Sequence, residues 1–190
     1  MQISNEVTFS EISDSNRAKF MYCSHFCEEN VYKMACNFVE DMRSELENCP
    51  SVCFFVVFIS SECKKTPVWH QKAGVQDEPV LWDYHVVLVA KGISQHLLRK
   101  ICSDVVNDSA ESAETPRGGE KSRGQLEIES RQQPITHIVF DLDTVLPFPT
   151  DAKQYYTRSF RPEISLPASY EQRFRVIPAE DVINHFSSDR

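Results

Sequence analysis

Apolar residues at Val31, Met34, Ala35, Phe38, Val39 and Met42 recur at three- and four-residue intervals. That spacing draws one stripe along a helix over 28–47, with Cys27 at or just before its first turn. The period then changes. Val52 to Ile59 is an unbroken apolar run rich in Phe and Val, far too short to cross a membrane and of the length of a buried strand, predicted over 52–60. A second strand is predicted over 79–89 and a third over 136–142. These three form the expected sheet. A further strand over 173–177 follows, and a last helix opens at Pro178 and carries Val182, Ile183 and Phe186. No internal repeat is visible.

Two stretches break the pattern. Residues 1–20 are polar and aperiodic, as expected of a loosely docked arm. Residues 91–134 hold four of the five glycines, and 107–120 is rich in Ser and Glu without an aromatic. Such a composition buries too little apolar surface to offset the entropy of ordering, so 91–134 is expected to be a disordered insertion, with one short amphipathic helix over 93–106 at its start. Beyond Asp143, Pro147, Pro149, Pro162 and Pro167 punctuate short pieces.

Length and composition narrow the picture further. A chain of 190 residues with 41% hydrophobic residues supports one domain, 1–190, with a real core. The net charge of -8 speaks against a nucleic-acid partner, since phosphate binding needs clustered Lys and Arg. The N-terminal stretch MQISNEVTFSEISDSN is not a secretory signal, and no membrane association is expected. Seven cysteines, an odd number, then favour thiol chemistry or plain burial over a disulfide framework in an intracellular, cytoplasmic protein, the nucleus being a second compartment open to it. Nothing demands more than a monomer.

A cysteine nucleophile needs exposure, a local field that favours the thiolate and a base. Cys27 meets the second need through the free amides and dipole of a helix start. His85, held in a strand, is the preferred base, and it is expected to share its face with Asp83 and Val87 while Trp82 and Tyr84 point away. Asp141 interrupts an apolar strand, where an ionised carboxylate needs a partner. If the second and third strands are antiparallel neighbours, Asp141 accepts the His85 ring N–H and orients it. On spacing alone Cys27 remains as open to plain burial as Cys36, Cys49, Cys53, Cys63 and Cys102. Neither a zinc site around Cys23, His25 and Cys27 nor a hard-cation site of Asp83, Asp141 and Asp143 has the usual ligand spacing, and no metal or other cofactor is expected.

The same residues fall in blocks that resemble the protein N-terminal glutamine amidohydrolases, which deamidate N-terminal Gln to Glu in the arginine branch of the N-degron pathway. Tyr22 to Lys33, YCSHFCEENVYK, is similar to the nucleophile region of that family. Pro79 to Leu88, PVLWDYHVVL, resembles its histidine strand, and Phe140 to Pro149, FDLDTVLPFP, its aspartate block. Phe174-Arg175-Val176-Ile177 and the closing Phe186 to Arg190 also fit, in family order.

The resemblance implies an α/β fold, an α-β-α sandwich with a mainly antiparallel sheet and a transglutaminase- or papain-like Cys-His-Asp core. It makes Cys27 the nucleophile, His85 the base and then acid, Asp141 the orienter, and proteins or peptides with N-terminal Gln the partners. Asp83 is a candidate for reading the substrate α-ammonium, and Trp82 for walling the pocket. The chain departs from the family in three places. The stretch from His85 to Asp141 is longer and that from Cys49 to Val57 looks extended, both expected as loops, and Arg190 ends the chain where family members continue, as in a C-terminally truncated form. An inactive isoform that at most binds peptide N-termini and a related cysteine hydrolase or acyltransferase are the alternatives to an active deamidase.

Overall fold

The computed structural model describes residues 17–41, 52–75, 77–94, 97–98, 101 and 135–186, apart from the side chains of 41, 135 and 136. In chain order the elements are α1 (Cys27–Asp41), β1 (Cys53–Ser60), β2 (Thr66–Val68), β3 (Val80–Trp82), β4 (Tyr84–Ser94), β5 (Ile135–Phe140), β6 (Thr150–Asp151), α2 (Ala152–Phe160), β7 (Arg173–Pro178) and α3 (Ala179–His185). The fold is α/β with a mainly antiparallel sheet. Five strands run in the order β6-β5-β4-β1-β7, every neighbouring pair antiparallel, and β2 and β3 form a separate ribbon.

Alternation along the strands divides the core into two layers. Phe54, Val56, Val86, Leu88, Ala90, Ile138 and Phe140 face the apolar stripe of α1, where Val31, Met34, Ala35 and Phe38 are buried. Val57, Ile59, Val87 and Val139 face the other way, onto β2 and onto Tyr155 and Phe160 of α2. A helix thus covers each face.

The expected strand over 79–89 is two strands. A break at Asp83 separates β3 from β4, and β4 runs on to Ser94, so the insertion expected from 91 starts inside the sheet. Leu97 and Leu98 beyond it are helical and buried in the α1 layer, whereas 102–134 lie outside the described residues. The register of β4 against β5 shifts between Lys91 and Ile93. Gly92 sits at that bulge with φ 79°, which a side chain would strain. The strand expected over 52–60 is β1, so the part of the Cys49 to Val57 stretch from Cys53 on is strand rather than loop. The arm over 1–20 falls outside the described residues up to 16, but Arg17 donates to the carbonyls of Thr144 (2.5 Å) and Leu146 (2.8 Å), and Phe20 packs edge-on to Phe38 and Phe148. The α1 helix is described to Asp41 of the expected 47. Among the described residues no helix is long and apolar enough to cross a membrane, and Cys23, Cys27, Cys36, Cys53 and Cys63 are free thiols.

Candidate active site

Cys27 is the first residue of α1. The turn before it is built by a buried side chain: Asn30 accepts from Cys23 N–H (2.9 Å) through Oδ1 and donates to the Cys23 carbonyl (2.7 Å) through Nδ2. The Phe26 carbonyl takes the first helical bond, from Asn30 N–H at 3.0 Å. Between these anchors His25 adopts φ 67°, a left-handed conformation uncommon outside glycine. The first-turn amides beside Cys27 have no helical carbonyl to serve, so the thiol sits at the positive end of the helix.

β4 and β5 are antiparallel neighbours with Leu88 opposite Phe140, the condition required for His85 to meet Asp141. Asp141 lies one residue past the end of β5 rather than within a strand. Its Oδ1 is 3.1 Å from His85 Nε2, and both side chains are buried. That oxygen also accepts the Asp143 amide N–H at 2.9 Å, while Oδ2 accepts from Gln71 Nε2 (3.1 Å) and the Tyr155 hydroxyl (2.7 Å). Three hydrogen-bond donors and the imidazole surround one carboxylate. Burial opposes charge on Asp141, yet the imidazole and these hydrogen bonds prevail and lower it to about 2. Burial likewise pulls His85 down, but Asp141 first and the Cys27 thiol second outweigh it and raise the ring to about 10. Neither ring nitrogen of His85 makes a well-aligned hydrogen bond among the described residues, so the approach of Nε2 to Asp141 is an ion-pair contact.

Cys27, Trp82 and Asp83 share one cavity of about 540 Å³ with His25, Ala73, Val80, Leu81 and Tyr84. Trp82 does not point away from His85, as unbroken alternation would require. It stacks on the imidazole, centroids 5.4 Å apart and planes 17° apart, because the break at Asp83 resets the alternation. Its Nε1 is buried without a hydrogen-bond partner among the described residues. Asp83 is exposed at the cavity wall, and its Oδ1 accepts the neighbouring Tyr84 N–H (3.0 Å). Burial and the Glu28 carboxylate push Tyr84 up to about 12.

Three residues that periodicity gave no reason to select shape this site. Gln71 and Tyr155 bond Asp141 directly. Asp143 does so through its amide, and its carboxylate accepts the Tyr22 hydroxyl at 2.5 Å. Tyr155 is carried by α2, whose start is marked by Asp151 accepting from Lys153 and Gln154 N–H. That cap was the available signal. Gln71 is held by a bridge to Thr144 and by the Lys72 N–H bond to the Asp143 carbonyl at 2.7 Å, contacts with no local signature.

His85, Asp141 and Asp143 each offer a ligand atom, all within 4.8 Å of one another. Three donors and the imidazole already crowd the acceptor positions of Asp141, so an ion there would compete with every one of them.

A family model described as N-terminal glutamine amidase matches residues 22–190. A protein N-terminal glutamine amidohydrolase from Danio rerio is 33% identical over 170 residues, covering 90% of this chain and 62% of the relative. The relative of the same name from Arabidopsis thaliana is 34% identical over 182 residues, 95% of this chain and 64% of its own. That from Drosophila melanogaster is 33% identical over 190 residues, with shares of 99% and 68%. The chain therefore spans less than two thirds of the Danio and Arabidopsis relatives. On the family model and these identities together, the chain belongs to the N-terminal glutamine amidase family.

Proposed function

We propose that the protein hydrolyses the side-chain amide of glutamine at the N-terminus of proteins and peptides, with Cys27 as nucleophile, His85 as acid and base, and Asp141 holding His85. The observation that carries this reading is the buried imidazole of His85, its Nε2 3.1 Å from the Asp141 carboxylate and its ring close enough to the thiol at the start of α1 to be raised by it.

In the proposed reaction Cys27 Sγ adds to the carboxamide carbon of the glutamine. The imidazolium of His85 gives its proton to the departing nitrogen, ammonia leaves and a thioester forms. Water then loses a proton to His85, adds to the thioester carbon and displaces the Cys27 sulfur, leaving glutamate. Amides of the first turn of α1 are the donors for the oxyanion. The exposed carboxylate of Asp83 and the indole N–H of Trp82, which has no partner among the described residues, are suited to the substrate's α-ammonium and a carbonyl, respectively. The name carried by the relatives supports the substrate, and peptides are the partners it requires.

Peptides beginning with Gln or Asn and one with only internal Gln, incubated with the protein and followed by mass spectrometry, test the reading. Deamidation confined to the N-terminal Gln peptide is expected. Equal turnover of internal Gln would replace it with a general glutaminyl hydrolase.

A further inference from the structure

Gln71 bonds Asp141 and also lines a second cavity, of about 610 Å³, that shares no lining residue with the Cys27 cavity. Its size is that of a small-molecule site. Asp141 is held ionised and can only accept, so the Gln71 amide must turn Nε2 to the carboxylate and Oε1 away from it. That oxygen is buried and has no hydrogen-bond partner among the described residues. A buried acceptor left bare is unfavourable, which makes Oε1 a fixed point for a donor carried by a ligand.

The other groups on this cavity define what else such a ligand carries. Arg158 is exposed, and its Nε donates to His70 Nε2 at 3.4 Å. Burial first, and then Arg158, hold His70 below its ordinary 6.5, so the ring is a neutral acceptor and the cation here is Arg158. The terminal N–H groups of Arg158 have no partner among the described residues and match a carboxylate. Asp77 adds an exposed carboxylate, which matches an ammonium. Val75 and Val145, 72% and 59% exposed, add apolar surface without cover.

We propose that this cavity binds an amino acid with an apolar side chain: its ammonium donates to Gln71 Oε1 and faces Asp77, its carboxylate pairs with Arg158, and its side chain covers Val75 and Val145. Gln71 joins this site to the His85 and Asp141 pair, because a donor on Oε1 polarises the same amide whose N–H holds Asp141. Binding here does not depend on the proposed deamidation.

The test titrates L-leucine, L-leucinamide and N-acetyl-L-leucine separately into the full chain and follows its amide NMR signals. Arg158→Gln is the variant, since Arg158 is a surface residue that lines this cavity and not the Cys27 cavity. L-Leucine is expected to bind with a Kd of about 1 mM or below, the side-chain amide signal of Gln71 moving in step. Loss of the ligand's carboxylate, loss of its ammonium and Arg158→Gln should each weaken binding about tenfold or more, the scale of a charge-assisted bond. Leucine that leaves the Gln71 signal in place, that binds Arg158→Gln as well as the native chain, or that fails to bind at about 10 mM would overturn the site. Leucinamide or acetylleucine bound as tightly as leucine would overturn it too. Deamidation of an N-terminal Gln peptide is a separate readout, so failure of this site leaves that reading standing.

Discussion

The Tyr155 hydroxyl donates to Asp141 Oδ2 at 2.7 Å, from a helix on the opposite face of the sheet to α1 and in a place closed to solvent. The bond is made to the ionised carboxylate, so it stabilises the charge that Asp141 presents to His85. Replacing Tyr155 by Phe is expected to cost about 1.5–3 kcal/mol of stability, as for a bond to a charged group, and to lower kcat more than it raises KM. Denaturant melts and steady-state kinetics on the same preparation check both. An unchanged melt would remove Tyr155 from the support of the site.

The charge state of the pair sets a pH window. His85 is raised from its ordinary 6.5 to about 10, so what its charge adds to stability is complete below 6.5 and lost as pH rises through about 10. Asp141 is lowered from 3.8 to about 2, so its contribution is complete above 3.8 and lost as pH falls through about 2. These limbs describe one ion pair and do not add. The stability difference between the native chain and Asp141→Asn should be widest between 3.8 and 6.5 and narrow on either side.

Asp141→Asn keeps the shape of the site and removes the charge. In the proposed mechanism His85 then returns toward its ordinary range, so kcat falls by about a hundredfold or more and the basic limb of the rate profile moves down from near 10. A variant with the native limb would show that Asp141 does not control His85.

Asn30, itself buried, holds both main-chain groups of the exposed Cys23. Asn30→Ala removes both bonds, at a net cost of about 0.5–1.5 kcal/mol each, and frees the left-handed turn at His25. Asn30→Asp keeps the acceptor and loses the donor, so its kcat should fall between those of the native chain and the alanine variant. Equal kcat in all three would confine Asn30 to stability.

Much of this was readable along the chain. The stripe from Val31 to Phe38 located α1, and the apolar runs located β1, β4 and β5, because each buries a regular face. The pairing of His85 with Asp141 follows from antiparallel strands, whereas the choice of Cys27 among the cysteines rests on resemblance. Trp82 was misdirected because a one-residue break at Asp83 is invisible to a period of two, and that break is what stacks the indole on His85. The nine-residue α2 was hidden among prolines that mark its flanks rather than its interior. Gln71 reaches Asp141 across 70 positions of sequence, and no local pattern encodes such a contact.

The account turns on the thiol at the start of α1. The most direct measurement is mass spectrometry of an N-terminal Gln peptide incubated with the native chain and, separately, with Cys27→Ala at matched folding by circular dichroism. The native chain is expected to convert the terminal amide to a carboxylate, and the variant to leave the peptide unchanged. Turnover that survives in Cys27→Ala, or a well-folded native chain that leaves the amide intact, would contradict it.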